Sequence, residues 1–350
     1  MAIATTSPTE NIPPRLLLIS VPRTASNLLL KILDIHNQSN VLTNQKGGYF
    51  FYDAFMTASR DGHINKSIDQ WTDLEKAEVC NAFQQCLNTL EEYSAQAQRD
   101  NKVMFAKEHA FWLVNPAAMH SDSPSAKGDT FNRFRLSLPG TYGSEQHFSR
   151  NNQTVLPDEY LRTWRLAFLI RHPALAWPSM YRAMVKISKL GFLDDDGVKG
   201  ASLSNMTLTW TRKLFDWCLE QPDEPTVPLV IDAHDVIHNP DSVLRFCEAA
   251  GLDTDAIQFE WGGENDRKKS DTWVPSDPTG MHQQTAHIML STLEASKGIV
   301  KDKAPAIVDI EAEAEKWRSE FGNEVAGLIE KAVWDAMPDY EHLRERRVRA

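Results

Sequence analysis

Apolar positions along the chain follow two periods. Short runs with little alternation, at Arg15–Ser20, Val41–Thr43, Val103–Ala106, Leu166–Arg171 and Leu229–Asp232, read as strands covered on both faces. Between them, Ser26–His36, Leu74–Arg99, Ser179–Leu190, Ser204–Glu220 and Asp241–Ala250 read as helices. Strands interleaved with helices predict an α/β fold with a mainly parallel sheet. Toward the C-terminus, Ile310, Ala314, Trp317, Phe321, Val325, Leu328 and Trp334 recur at steps of three and four or their sums. That is one apolar stripe of an amphipathic helix at about 310–337, and core packing accounts for it.

Two stretches break these patterns. Residues 1–14 are polar and proline-bearing and read as a disordered lead-in. Residues 120–160 are rich in Ser, Gly, Asn, Asp and Pro and read as a long loop or lid, because loops of that length are usually functional or disordered. Residues 15–350 are taken as a single domain.

Composition narrows the picture. The chain has 350 residues, 42% hydrophobic and 24% charged, enough to bury a core without staples. A net charge of −11 argues against a general nucleic-acid binder, though a few local cations suffice for a small anion. Cys80, Cys86, Cys218 and Cys247 form no C-x-x-C pair, so no structural metal is expected. No apolar run reaches a membrane span, and the first residues lack an apolar signal core. A soluble, reduced, cytoplasmic protein is the expectation, without membrane or nucleic-acid partners.

Candidate chemistry sits at strand ends. After the first strand comes Pro22-Arg23-Thr24-Ala25-Ser26-Asn27, then a helix. A helix start favours an anion, Arg23 adds a cation, and Thr24, Ser26 and Asn27 add donors. The other reading is a plain turn capped by Ser26 or Asn27. A nucleotide triphosphatase would need a Gly-Lys-Ser/Thr ending, which the loop lacks. Arg171 ends another strand, with Ser179 eight residues on at an expected helix start. The pair suits a phosphate, or else a surface ion pair and a helix cap. Lys107 and His109 lie on one side of an extended segment, a cation beside a base.

Together these segments resemble the sulfotransferases that use 3′-phosphoadenosine 5′-phosphosulfate (PAPS). Residues 22–28 match the family's 5′-phosphosulfate loop, Arg171 and Ser179 its R-x7-S element for the 3′-phosphate, and Lys107 with His109 its K-x-H. Pro228–Leu252 resembles the family's later strand, acidic loop and Pro-started helix. "PRTASNLL", "GGYFF" and "LIRHPALAWPSMYRA" are similar to a fungal sulfotransferase-like branch. Ala25 stands for the family's usual Gly and Leu28 for an aromatic. Arg267-Lys268-Lys269 loosely echoes a late R-K-G that touches the 3′-phosphate.

The resemblance implies a three-layer α/β/α, P-loop NTPase-like fold. It implies PAPS as donor, PAP (adenosine 3′,5′-bisphosphate) as product, and no metal. His109, Lys107 and Arg23 would be catalytic, with Arg23, Thr24, Ala25, Ser26, Asn27, Arg171, Ser179 and Arg267 on the donor. The acceptor would be a small, aromatic or secondary metabolite held by Tyr49, Phe50, Trp112 and Tyr181. A homodimer is allowed. The alternatives are an enzyme of cyclisation, elimination or isomerisation on the same fold, and a non-catalytic nucleotide-binding protein.

Overall fold

The computed structural model describes residues 15–119, 128–191, 193–221, 227–262 and 281–350. The expected lead-in at 1–14 lies outside them. Five strands form one sheet: β1 (Arg15–Ser20), β2 (Val41–Leu42), β3 (Val103–His109), β4 (Arg165–Ile170) and β5 (Leu229–Asp232), ordered β2-β3-β1-β4-β5. Every pairing is parallel.

The central strand shows why this sheet is a middle layer. Leu16 and Leu18 face a cluster that includes Leu29, Ile32 and Phe246, while Leu17 and Ile19 face one that includes Phe83, Trp177, Trp217 and Trp317. Both faces are apolar, so the period-two alternation is hidden in the sequence. Helices Ser26–Ile32 and Pro240–Ala250 cover the first face. Helices Asp73–Arg99, Pro173–Ser188, Thr209–Glu220, Ile310–Phe321 and Asn323–Glu345 cover the second. The result is a three-layer α/β/α arrangement. The chain lays β2 and β3 on one side of β1, then β4 and β5 on the other. The loops leaving β1, β3 and β4 therefore open at one carboxyl edge beside a reversal of strand order, where parallel α/β sheets hold ligands.

Several expected boundaries shift. β3 runs on through Lys107, Glu108 and His109, because these pair with Leu18, Ile19 and Ser20. The helix expected from Ser179 starts at Pro173, whose fixed φ and missing N–H suit a first turn, and the His172 imidazole accepts the Ala174 N–H. Pro178 sits inside that helix rather than before it. The C-terminal stripe is two helices, Ile310–Phe321 and Asn323–Glu345, split at Gly322 with φ 81°. Ser204–Glu220 likewise divides into Asp195–Asn205 and Thr209–Glu220. Helices Tyr52–Ser59 and Met281–Glu294 were not expected.

The described part of the expected lid, 128–160, packs as wall. Phe131, Phe134, Leu136, Tyr142, Val155 and Tyr160 are buried. Tyr142 and Tyr160 donate to the Glu91 carboxylate, which pairs with Arg15 at 3.2 Å. Arg15 begins β1, so these tyrosines anchor at the end of the sheet away from Ser20.

The C-terminus returns to the sheet. Tyr340 donates to Asp232 at 2.7 Å, Arg347 donates to Asp235 at 2.7 Å, and Val348 N–H donates to Val230 C=O at 2.8 Å. Among the described residues no helix is long and apolar enough to cross a membrane.

Candidate active site

The loop after β1 is built on left-handed backbone at Arg23 (φ 71°) and Ala25 (φ 69°). Such a φ costs a residue bearing a Cβ about 1–2 kcal/mol, a cost glycine avoids. Thr24 is buried, and its hydroxyl donates to Val21 C=O at 2.8 Å, closing the turn. Thr24 thus shapes the loop from within rather than offering its hydroxyl outward. Ala25 is the N-cap of the helix Ser26–Ile32, so no cap side chain takes a first-turn N–H. The expected cap by Ser26 or Asn27 is absent, and both hydrogen-bond elsewhere.

Three cations meet at this loop. Arg23 Nε donates to Ser179 Oγ at 3.1 Å and its Nη1 to Met289 C=O at 2.5 Å. Arg171 Nη1 donates to Arg23 C=O at 2.8 Å and Nη2 to Lys303 C=O at 2.7 Å, while its buried Nε has no partner among the described residues. Lys107 Nζ donates to Asn27 Oδ1 at 2.6 Å. Every one of these acceptors is neutral, and among the described residues none of the three cations forms an ion pair. Burial lowers the Arg23 pKa, and burial with Arg23 alongside lowers that of Arg171 to about 10, against the pull of Asp232. Asp232 and Glu108 pull on Arg171 and Lys107 from beyond ion-pair distance, and buried positive charge held by neutral acceptors is costly, so an anion would be stabilised here.

The end of β3 faces both ways. Lys107 and His109 point to one side, as the alternation implied. His109 Nδ1 lies 3.0 Å from Ser20 Oγ and Nε2 lies 3.0 Å from the Tyr49 hydroxyl. In the tautomer that carries its proton on Nδ1, the ring donates to Ser20 and the bare Nε2 accepts from Tyr49. Burial first, and then Lys107, bring the His109 pKa down to about 3, so the ring is neutral.

Glu108 points to the opposite side. Its Oε1 accepts the N–H groups of Phe50 (2.6 Å) and Phe51 (2.9 Å), and its Oε2 is buried without a partner among the described residues. Burial raises the Glu108 pKa and lowers that of Lys107. Glu108 fixes the turn that carries Tyr49. From the other side, Lys107 N–H donates to Gly48 C=O at 2.9 Å. Asn44 Oδ1 accepts from Lys46 and Gly48 N–H, and Asn44 Nδ2 donates to Tyr49 C=O at 2.6 Å. Gly48 has φ 88°, and a Cβ there would lie 3.1 Å from Lys107 N. The turn therefore requires glycine.

Aromatic rings close the remaining side. Trp112 lies against His109 (4.5 Å between centroids) and Tyr49 (4.8 Å), and stacks on Phe55 (4.9 Å). Its buried indole N–H has no partner among the described residues. Lys107 Nζ sits 4.1 Å from the centre of the Tyr49 ring.

The structure thus brings together Arg23, Ser26, Asn27, Lys107, His109, Arg171, Ser179, Tyr49 and Trp112. Ser179 joins from inside its helix, not from its start. Phe50 takes part through its N–H, while its ring packs on Tyr93 at 5.4 Å. Tyr181 is not brought to the group; its ring meets Phe321 at 5.0 Å because it projects toward the C-terminal helices. Arg267 lies outside the described residues. Ser20, Glu108 and the carbonyls of Met289 and Lys303 were missed. Ser20 had one signal, a lone hydroxyl ending an apolar strand; main-chain carbonyls have none.

No family model matches the chain. A protein named sulfotransferase ppzF from Metarhizium majus (strain ARSEF 297) is 37% identical over 356 residues, covering 97% of this chain and 98% of that one. Another of that name, from Metarhizium rileyi (strain RCEF 4871), is 36% identical over 352 residues, covering 97% of each. Among solved structures, the sulfotransferase domain from the Synechococcus PCC 7002 olefin synthase is 16% identical, with a TM-score of 0.38 over 91% of this chain and 98% of that one. With full-length relatives at this identity, the chain belongs to the sulfotransferase family.

Proposed function

We propose that the protein transfers a sulfuryl group from PAPS to a hydroxyl or amine of a small, aromatic or secondary metabolite, with His109 as general base. The observation that carries this reading is the meeting of Arg23, Lys107 and Arg171 around residues 23–27, each hydrogen-bonded to neutral acceptors and none in an ion pair among the described residues. The orphaned Arg171 Nε fits an anion as well.

Arg171 and Ser179 would hold the 3′-phosphate and Arg23 with Ser26 the 5′-phosphate. Lys107, released from Asn27, would offset charge on the sulfuryl oxygens. The donor supplies an activated sulfuryl group. In the tautomer with its proton on Nδ1, His109 acts through Nε2. A neutral imidazole within about 2.6–3.2 Å of a hydroxyl can take its proton as the new S–O bond forms and the S–O bond to the 5′-phosphate breaks, releasing PAP. Burial beside three cations and exclusion of water strengthen each of these interactions.

The test is thermal denaturation with PAPS, with PAP, and with ATP plus Mg²⁺. A ligand of the native state raises the midpoint by mass action. Stabilisation by the first two alone, followed by turnover of a phenol panel, is expected. Equal stabilisation by ATP–Mg²⁺, or none by PAP, would overturn the donor assignment.

A further inference from the structure

The catalytic nitrogen assigned above is already engaged. Tyr49 brings a phenolic O–H to 3.0 Å from His109 Nε2, the separation a general base needs from the hydroxyl it deprotonates. The Ser26 hydroxyl, on the donor loop, reaches the same oxygen. The Tyr49 ring presents its face to Lys107 at 4.1 Å and lies against Trp112. A neutral His109 has one bare nitrogen, and an acceptor hydroxyl cannot use it while Tyr49 does.

We propose that Tyr49 occupies the place of the acceptor's hydroxyl and is displaced by it, which makes Tyr49 the residue that selects acceptors. The inference rests on the sulfuryl-transfer reading. The side chain is held there by construction: Glu108 grips the two following N–H groups, Asn44 grips the Tyr49 carbonyl, and Gly48 lets the turn approach Lys107. Those grips are all on backbone, so the ring can leave while the turn stays. An entering molecule must replace the contacts that Tyr49 gives up: a hydroxyl on Nε2, a flat face over Lys107, and an edge on Trp112. The unpartnered Trp112 N–H offers it one hydrogen bond that Tyr49 does not take. A planar ring alcohol meets these demands, and an aliphatic alcohol meets only the first.

Tyr49→Phe keeps the ring and removes the competing hydroxyl. With PAP saturating, 2-naphthol is titrated calorimetrically into wild type and variant. Two hydrogen bonds, with His109 and Ser26, no longer have to be broken, which predicts binding about 5- to 150-fold tighter. In turnover with PAPS, the KM for 2-naphthol falls by a similar factor. Tyr49→Leu, which also removes the ring, shows the same direction. Unchanged or weaker 2-naphthol binding in both variants overturns the proposal, because Tyr49 is then pocket wall. A hundredfold loss of kcat at constant KM overturns it too, because Tyr49 then relays the proton. PAP stabilisation is measured alongside: a failure with PAP still bound sinks the role of Tyr49 alone, whereas loss of PAP binding by wild type sinks the donor reading with it.

Discussion

Replacing Arg171 by methionine separates what this residue costs the free protein from what it gives the donor. Burial, with Arg23 alongside, brings the guanidinium from 12.5 to about 10. At about 1.4 kcal/mol per pH unit, the free chain keeps this charge at a cost of roughly 3 kcal/mol. Methionine keeps most of the aliphatic volume and removes the charge. It also strips Arg23 C=O and Lys303 C=O of their donors, about 1.5–3 kcal/mol each. The opposing effects leave the free protein no more than about 3 kcal/mol less stable. A bound 3′-phosphate, however, loses its charge-assisted contact outright. PAP affinity should drop roughly 10- to 150-fold. Denaturant titration reads the first quantity and calorimetric titration of PAP the second. PAP affinity within twofold of wild type would refute the placement of the phosphate on Arg171.

Three further outcomes follow from the same geometry. His109→Ala should lose about 10²- to 10⁴-fold in turnover while PAP stabilises it as it does wild type; weakened PAP binding would instead make His109 a donor ligand. Burial brings Lys107 to about 7, and a bound sulfuryl group favours its charged form, so PAPS binding takes up a proton above neutrality. Affinity, complete below pH 7, should then weaken by up to about tenfold per pH unit above it; calorimetry giving one affinity from pH 6.5 to 8.5 would contradict this. Gly48→Ala places a Cβ 3.1 Å from Lys107 N at φ 88°, so a loss of at least about 1–2 kcal/mol is expected by chemical denaturation, and wild-type stability would show the turn to be pliable.

Much of this was legible in the sequence, for identifiable reasons. β1 and β5 coincide with their expected bounds because strands covered on both faces are apolar without interruption. The anchors at 22–27, 107–109 and 171–179 come together because three parallel strands release their loops at one edge. Glu108 stayed hidden because its partners lie 58 and 57 positions away, and a carboxylate between Lys107 and His109 looks like a solvated charge. Ser179 was set at a helix start because His172-Pro173 reads as a turn; Pro173 itself opens the helix, six residues earlier. The carbonyls of Met289 and Lys303 could not be seen at all, because every residue has one. Gly322 divided a stripe whose period continued across it, since periodicity reports the buried face and not the axis.

The hydrogen bond from Val348 to Val230 bears on a different property. A sheet's outermost strand is an open template, to which another molecule can add a strand of its own. On one flank of this sheet the border strand is β2, two residues long and too brief to recruit a stranger. On the other, the chain's own tail latches over β5, helped by the grip of Arg347 on Asp235. Among the described residues, one flank thus ends in a strand too short to template a partner, and the tail takes up part of the hydrogen-bonding edge on the other.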